Sequence, residues 1–266
     1  MITSSQNEQI KELRKLHDKK QRARHERFVA EGEDLVRAAL DADWQPTKLF
    51  CTPAAPADLA ERAGAERVDP SVLDSASALG SGSRVIGVFE QRLTSLDAEF
   101  QLAVYLDAIS DPGNIGSALR SALAFADGPV ILGPGCADPF SPKAVRASMG
   151  ALFARPPARA TAAELSALPV RRVALDGGAA SELRALSKGQ PTVLCVGSER
   201  EGLSGDVLAA ADECAAIRIN PDGPQSLNAA VAASIALYEF AEAMQSAVHE
   251  VSAGGAATGN AGLTEK

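Results

Sequence analysis

The second half of the chain alternates short, continuous apolar runs with segments in which apolar residues recur at helical spacing. Its apolar runs include LAVYLDA, PVILG, RRVALD and PTVLCVG. A strand that is apolar at every position must be covered on both faces, as in a parallel sheet flanked by helices. We therefore predict an α/β fold with a parallel sheet in this half. ALFARP and AAIRI are interpreted as further strands, and a long helix is predicted from Gln225 to about His249.

The first half shows a weaker form of the same alternation. Its strand-like runs are RFVAE, TKLFC and RVIGVFE, and one basic helix is expected over about residues 5 to 24. Parallel pairing is expected here too, because these strands alternate with helical segments. The stretch QRLTSLDAEF has no strong period and predicts a linker near residues 91 to 100. The predicted division is a smaller α/β domain over 1–95, a second domain over 100–250, and a disordered tail over 251–266.

The charge of the chain is unevenly distributed. The formal net charge is -8, which by itself argues against a nucleic-acid partner, since phosphate neutralisation requires Lys and Arg. Between Lys11 and Arg27, however, eight Lys or Arg residues stand against three acids. This segment is either a positive patch for RNA or a solvated helix of mixed charge.

Cysteine usage and hydropathy limit the compartment. The four cysteines are far apart and form no C-x-x-C pair, so buried free thiols are expected rather than disulfides or a zinc site (Cys51, Cys136, Cys195 and Cys214). The N-terminal stretch MITSSQNEQIKELRK is polar, and no apolar run is long enough to span a membrane. We expect a soluble, cytoplasmic protein with no membrane partner.

Three unusual loops follow predicted strands: DPGNIGSALR, VGSEREGLSGDV and the segment from INPDGPQSLN into the last helix. Ligands of open α/β sheets bind beyond the carboxyl ends of strands, so these loops are the first candidates for a site. In the first loop we expect Asn114 to cap a helix whose apolar stripe excludes Arg120. That arginine is either functional or simply solvated. In the third loop Ser226 is a candidate helix cap.

Several common kinds of active site do not fit these loops. The chain has no phosphate-binding G-x-x-x-x-G-K-[ST] loop, and GPGCAD lacks the third glycine of a dinucleotide fingerprint, which disfavours a dinucleotide-dependent oxidoreductase. GSERE is not a nucleophile elbow, and none of the three histidines lies near a candidate nucleophile. The remaining pocket of glycines, backbone groups and small polar side chains suits an uncharged or zwitterionic ligand.

Taken in order, the three loops resemble the signature motifs of the SpoU (TrmH-like) branch of the SPOUT class of RNA 2'-O-ribose methyltransferases. Asn114, Gly116 and Arg120 match N-x-G-x-x-x-R, and the second loop matches G-x-E-x-x-G-L from Gly197 to Leu203. Ser226, Leu227 and Asn228 match the S-L-N motif. The segment HERFVAEGEDLVRAAL is similar to the start of the family's N-terminal substrate-binding domain. The resemblance covers the chain apart from its tail.

The resemblance implies a fold, a cofactor and a set of site residues. The fold would be a SPOUT-type parallel-sheet domain with a deep C-terminal trefoil knot, preceded by an L30e-like α/β domain. The cofactor would be S-adenosylmethionine, and the partners RNA and a second copy of the chain. The catalytic set implied is Arg120, Asn114, Glu199, Ser226 and Asn228, and the cofactor-binding set is Leu175, Gly197, Ile219 and Leu227. Candidate RNA contacts are Lys15, Lys19, Arg22, Arg24, Lys143 and Arg146.

The predicted function is therefore S-adenosylmethionine-dependent 2'-O-methylation of RNA. In the family that the chain resembles, an N-terminal domain of this type favours ribosomal (23S) over transfer RNA, so the resemblance implies a ribosomal substrate. The alternative is a non-catalytic RNA-binding ribosome-assembly factor with the same fold. The complete set of polar motif residues argues against that alternative, because a protein that only binds RNA has no need for all of them.

Overall fold

The computed structural model describes residues 1–62, 64–78, 80, 82–96 and 100–241 of the chain. The predicted tail, 251–266, and the predicted end of the last helix near His249 lie outside the described residues. The described residues form two β-sheets, one of four strands and one of six.

The N-terminal sheet has the strand order β1-β4-β2-β3. Its strands are β1 (Arg27–Glu31), β2 (Lys48–Cys51), β3 (Ala65–Arg67) and β4 (Val85–Glu90). The helices of this half are α1 (Glu8–Lys15), α2 (Lys19–His25), α3 (Glu33–Asp41), α4 (Ala57–Ala60) and α5 (Pro70–Asp74).

One prediction for this half holds only in part, and another is wrong. Strand β4 pairs antiparallel with both β1 and β2, and only β2 and β3 are parallel. An alternation of strands and helices does not fix strand direction, since the chain can return to the sheet at either end. The predicted single basic helix is also two helices, because the Asp18 carboxylate accepts hydrogen bonds from the Lys20 and Gln21 backbone N–H groups and caps a new helix, α2.

The C-terminal sheet is parallel throughout, which confirms the α/β prediction for this half. Its order is β10-β8-β9-β5-β6-β7. The strands are β5 (Leu102–Leu106), β6 (Val130–Leu132), β7 (Ala158–Arg159), β8 (Arg171–Leu175), β9 (Thr192–Val196) and β10 (Glu213–Ala215). The helices are α6 (Pro112–Phe125), α7 (Pro142–Ser148), α8 (Ala151–Ala154), α9 (Ala162–Ser166), α10 (Gly205–Ala210) and α11 (residues 229–241), with a 3-10 turn at Leu183–Ala185.

Both faces of this parallel sheet are covered. Along β5, Leu102, Val104 and Leu106 join one apolar cluster, which includes residues of α6 and α11. Ala103 and Tyr105 point the other way and join a second cluster with Leu165 of α9 and Val207 of α10. Residues that alternate between two buried faces explain why these strands are apolar at every position.

Two segments predicted as strands differ in the structure. The first four residues of ALFARP form helix α8, whose Ala151, Leu152 and Phe153 are buried, and the strand comes later, at Ala158–Arg159. Ala, Leu and Phe occur in buried helices as readily as in buried strands, so a short apolar run does not distinguish the two. For AAIRI, only Ala215 belongs to β10, and Ile217 to Ile219 continue into a loop.

The two sheets share a hydrophobic core. Phe28 and Phe89 of the first half lie in one cluster with Phe140 and Phe153 of the second half, and the Phe28 and Phe153 rings stack with centroids 5.8 Å apart. The buried Trp44 donates from Nε1 to the Phe153 carbonyl at 3.0 Å. We call this cluster of Phe28, Trp44, Phe89, Phe140 and Phe153 the aromatic seam.

Two further findings bear on the sequence predictions. Cys51, Cys136 and Cys195 are buried as expected, but Cys214 is exposed, because it lies on the short outermost strand β10. Across the described part of the chain, no helix combines the length and the apolar character that crossing a membrane would require.

Candidate active site

The first loop opens helix α6, and its cap differs from the prediction. Asp111, not Asn114, is the N-cap, since its carboxylate accepts from the Gly113 N–H at 2.8 Å and Pro112 occupies the first helical position. Lys143 Nζ lies 2.7 Å from the Asp111 carboxylate. That contact lowers the pKa of Asp111 below its usual range. Asn114 is thereby left free to use its side chain in the site.

Helix α6 has the apolar stripe that the sequence predicts. Ile115, Ala118, Leu119 and Ala122 are buried, whereas Arg120 is exposed. The Arg120 guanidinium makes no hydrogen bond or ion pair with any described residue. A cation held on a rigid helix and left without a protein partner is free to meet an anion from another molecule.

The second loop is folded tightly back on itself. Ser198 and Gly202 exchange backbone hydrogen bonds of 3.0 and 2.9 Å, and Gly202 has a φ of +71°. A Cβ on Gly197 would collide with the backbone of Gly202 and Leu203. Glycine is therefore required at position 197, because the backbone passes too close for a side chain, and it is favoured at position 202, because of the positive φ. The turn projects the Glu199 side chain toward the first and third loops.

The third loop ends at the start of α11, where Asn228 is the cap. Its Oδ1 accepts from the Ala230 and Val231 N–H groups at 3.0 and 3.2 Å. The prediction of Ser226 as the cap is therefore wrong. Ser226 lies two residues before the cap, in the loop itself, where it is exposed.

The Glu199 carboxylate joins all three loops. Its Oε1 accepts from Asn114 Nδ2 at 2.7 Å, from Asn228 Nδ2 at 3.2 Å and from the Ala229 N–H at 3.2 Å. Asn228 Nδ2 also donates to Asn114 Oδ1 at 2.9 Å. Three side chains from motifs far apart in the sequence thus form one hydrogen-bonded group, which we call the Asn-Glu-Asn cluster.

A cavity of about 600 Å³ lies beside this cluster. Its lining includes the four residues predicted to hold a cofactor, which are Leu175, Gly197, Ile219 and Leu227. Glu199 and Ser226 line it as well. The volume falls within the range of small-molecule and cofactor sites. Asn114, Arg120 and Asn228 are not part of this lining.

The structure adds lining residues that the sequence prediction missed. Asp176, Gly177 and Gly178 follow β8, and Arg218 follows β10. Arg218 donates to the Ala180 carbonyl at 2.9 Å, which fixes one wall. Their position directly after parallel strands is the signal that could have identified them. Asp176, Glu199 and Glu201 place three carboxylates around the cavity against the one guanidinium of Arg218.

Asp107 is another residue that the sequence prediction missed. It follows β5, is only 5 % exposed, and accepts from the Ser204 N–H at 2.7 Å. This bond ties the second loop to the end of the central strand. An acid directly after an otherwise apolar run is the sequence feature that could have identified it.

The predicted RNA contacts separate into three groups. Lys15, Lys19, Arg24 and Arg146 are exposed and have no side-chain hydrogen bond or ion pair among the described residues. Lys143 is exposed but paired with Asp111, beside the first loop. Arg22 contradicts the prediction, because it is 3 % exposed, pairs with Asp138 at 2.8 Å and donates to the Leu16 and His17 carbonyls. Its guanidinium ties α2 to the C-terminal half and cannot reach phosphate.

Comparisons with known proteins identify the family. Residues 101–238 match the SpoU rRNA Methylase family, and residues 7–96 match the MRM3-like substrate binding domain. The chain belongs to the SpoU rRNA methylase family. It is 31% identical to an uncharacterized tRNA/rRNA methyltransferase of Synechocystis, over 90% of this chain and 92% of that protein. This confirms the resemblance seen in the three loops.

Two further relatives extend the match over both halves. The 23S rRNA (guanosine(2553)-2'-O)-methyltransferase RlmP of Bacillus subtilis is 28% identical, over 90% of this chain and 98% of that protein. The AdoMet-bound rRNA methyltransferase structure from Sinorhizobium meliloti superposes with a TM-score of 0.83 at 33% identity, covering 91% of this chain and 97% of that one. The similarity therefore extends beyond the methylase match into the N-terminal half.

Proposed function

We propose that this protein transfers a methyl group from S-adenosylmethionine to a ribose 2'-hydroxyl of ribosomal RNA. The observation that carries the proposal is the Asn-Glu-Asn cluster, which brings the three motifs together beside one cavity. The relatives named as rRNA methyltransferases, of which one is AdoMet-bound, support both the reaction and the cofactor. The RlmP relative supports 23S rRNA as the substrate.

The cavity suits S-adenosylmethionine in size and in charge. Gly197, Gly202 and the backbone around them present peptide groups rather than bulky side chains. The three carboxylates at the cavity favour a ligand that carries a sulfonium and an ammonium cation. Leu175, Ile219 and Leu227 supply apolar surface for an adenine ring, and we assign the cofactor-binding role to them and to Gly197. When bound, S-adenosylmethionine supplies an activated methyl group.

Arg120 is proposed to act on the RNA rather than on the cofactor. It lies six residues after Asn114, about 9 Å along the axis of α6, and does not line the cavity. A guanidinium does not lose its proton in a protein, so we assign it the task of orienting the RNA phosphate and stabilising the developing 2'-alkoxide. The hydroxyl proton passes to phosphate or to water. Asn114, Glu199 and Asn228 hold the loops together beside the cavity. Ser226, which lines the cavity, is assigned the catalytic role that its motif implies.

A second copy of the chain is proposed to pack against α6 and α11. These helices contact each other through Ser121 and Ser234, whose Oγ atoms are 2.6 Å apart, and through the edge-to-face rings of Phe125 and Tyr238. The pair still exposes a group of apolar side chains, which are Leu123 (39 % exposed), Phe125 (38 %), Val231 (46 %) and Tyr238 (50 %). Exposed apolar groups of this kind mark association surfaces. Helical spacing puts Arg120 one turn from Leu123, so a partner subunit would cover the edge of the site.

The remaining parts of the proposal concern the domains. We propose an RNA substrate-binding domain over 1–95 with an L30e-like fold, and a catalytic domain over 100–250 with a deep trefoil knot. The matches over 7–96 and 101–238 support this division. We further propose action in the cytoplasm, which agrees with buried thiols at Cys51, Cys136 and Cys195.

The function is tested by replacing Arg120. We expect Arg120→Ala to lower methyl transfer to ribosomal RNA about a hundredfold or more, the effect typical of losing a donor to a developing oxyanion. S-adenosylmethionine affinity, measured by calorimetry, should change little, because Arg120 does not line the cavity. Methyl transfer is measured with labelled cofactor and RNA from cells that lack this protein.

The matched control is Ser117→Ala, one turn earlier on the exposed side of α6, which should transfer methyl at the normal rate. Normal transfer by Arg120→Ala would refute the role of this residue. Failure of the wild-type protein to bind S-adenosylmethionine would refute the methyltransferase assignment itself.

A further inference from the structure

A cleft in the N-terminal half lies on the face of its sheet that points away from the aromatic seam. Side chains alternate across a strand, so Phe28 and Phe89 face the seam while Val29 and Val88 face the other way, with Phe50. Helix α1 packs over this second face through Ile10, Leu13 and Leu16. Where the helix ends, a cleft of about 140 Å³ remains between it and the sheet. We call it the α1 cleft.

The floor of the α1 cleft is apolar. Leu13, Leu16, Phe50 and Val88 line it, and each is at most 6 % exposed. Gln9 lines it as well, and its Oε1 is buried without any hydrogen-bond partner in the described structure. Burying an amide oxygen unpartnered is unfavourable, and a turn of this side chain toward the cleft would let a ligand donor remove that cost.

The rim of the cleft carries four basic side chains from four different elements. Lys15 ends α1, His25 ends α2, Arg27 begins β1 and Lys48 begins β2. Strands β1 and β2 both run antiparallel to β4, so their first residues lie at the same end of the sheet. All four are exposed, and their side chains make no hydrogen bond or ion pair with a described residue.

The acids near this rim do not neutralise it. Glu12 also lines the cleft, and Glu90 lies opposite Arg27 in the strand register. Neither carboxylate forms an ion pair within the described residues. In a chain with a net charge of -8, the unpaired cations of Lys15, Arg27 and Lys48 around an apolar depression are a local reversal of charge.

We infer that the α1 cleft binds one unpaired nucleotide of the RNA substrate, which deepens the proposed function and rests on it. The base would lie on the apolar floor and donate a hydrogen bond to Gln9 Oε1. Arg27, Lys48 and Lys15 would contact the phosphates on either side. Single-stranded RNA is recognised in this manner, by bases turned out of the stack and by cations along the backbone. The cleft shares no lining residue with the catalytic cavity, so its nucleotide would be distinct from the one that is methylated.

The test compares two double variants of the full-length protein that lose the same charge. Arg27→Ala/Lys48→Ala removes two rim cations, whereas Arg62→Ala/Arg67→Ala removes two exposed cations near β3, away from the cleft. The probe is a short single-stranded RNA of mixed sequence, with binding measured by fluorescence anisotropy over a range of salt concentrations. We expect the rim pair to weaken binding about tenfold. The slope of log K against log salt should fall by about 1.4, the value for two phosphate contacts on a single strand.

A third variant separates the base from the phosphates. Gln9→Met keeps the side-chain length and removes the acceptor, together with the long 3.5 Å bond from Gln9 Nε2 to Glu66, so binding should weaken while the salt slope stays unchanged. If the rim pair and the control pair lower affinity equally, or if neither does, the cleft does not bind RNA. If the natural partner of the cleft is instead an acidic protein segment, neither pair of substitutions should change RNA affinity.

Methyl transfer and S-adenosylmethionine affinity are measured on the same samples. Loss of RNA affinity in the rim variant with unchanged cofactor affinity supports the inference. If the wild-type protein binds RNA through the cleft but transfers no methyl, the proposed function fails and the cleft assignment stands. Circular dichroism checks that each variant is folded, which is expected because Arg27 and Lys48 are exposed.

Discussion

At the scale of single residues, Glu199 is the side chain that makes the three loops one site. Its Oε1 accepts from Asn114, Asn228 and the Ala229 N–H, so one carboxylate connects the start of α6, the second loop and the start of α11. Bonds to an ionised acceptor are stronger than bonds between neutral groups. Without the carboxylate, the Asn114 and Asn228 amides and the Ala229 N–H would donate to water instead. The three loops would then no longer share a hydrogen-bond acceptor.

We therefore expect Glu199→Ala to lower S-adenosylmethionine affinity and methyl transfer together. The group is largely open to water, which can replace the lost bonds, so the free energy of unfolding should change little. Glu201→Ala is the matched control, because Glu201 also lines the cavity but its carboxylate bonds to no described residue. Calorimetric titration and denaturant unfolding give the two readouts. Equal losses of affinity in both variants would mean that cavity charge, rather than the Asn-Glu-Asn cluster, holds the cofactor.

At the scale of elements, the crossing of α6 and α7 explains the glycine of the first motif. A Cβ on Gly116 would collide with the Ala144 carbonyl oxygen and the Ala147 Cβ of α7. Glycine at this point lets the two helices approach closely. The motif glycine therefore sets the position of the helix that carries Asn114 and Arg120, and it does so without touching a ligand.

Gly116→Ala is expected to destabilise the protein by about 1–3 kcal/mol, the usual cost of overpacking a tight contact. Gly113→Ala is the matched control on the same helix, since its added Cβ would meet chiefly the flexible end of Lys143 at 3.1 Å. The control should be neutral or slightly stabilising, because Ala favours helix over Gly. Denaturant unfolding followed by circular dichroism measures both. A Gly116→Ala protein as stable as the wild type would show that α7 can move aside at no cost.

At the scale of the whole molecule, the aromatic seam makes the two halves one folding unit. Trp44, the only tryptophan of the chain, packs edge-to-face on Phe28 and Phe153, and the Arg92 guanidinium lies 4.4 Å from the centre of its ring. The buried pair of Arg22 and Asp138 lies across the same boundary. The position of the α1 cleft relative to the catalytic cavity is therefore fixed by packing.

Trp44→Ala should destabilise the protein by about 3–5 kcal/mol, as expected for truncating a buried aromatic side chain. It should also split a single thermal transition into two, because the halves lose both the ring contact and the hydrogen bond between Trp44 and Phe153. Trp44→Phe keeps one aromatic ring but loses the bond to the Phe153 carbonyl and part of the buried surface of the indole, so its cost should be smaller, about 1–3 kcal/mol, with one transition retained. Scanning calorimetry distinguishes these outcomes. A single, unshifted transition in Trp44→Ala would mean that the halves are coupled elsewhere.

The sequence by itself determined the local features that depend on neighbouring residues. The fully apolar runs predicted the parallel C-terminal sheet, and the helical spacing of α6 predicted that Arg120 would be exposed. The three motifs gave the family, which the comparisons confirm. Each of these rests on residues close together along the chain or on a pattern repeated within one element.

Only the tertiary structure decided which distant groups meet. Strand direction in the N-terminal sheet depends on the end at which the chain re-enters the sheet. The burial of Arg22 depends on its bond to Asp138, more than a hundred residues away. Neither could be inferred from a local pattern. The choice of Asp111 and Asn228 as caps was equally open, because Asp, Asn and Ser all cap helices and several lay within reach. The α1 cleft exists because the ends of four elements coincide in space, and no pattern along the chain records that.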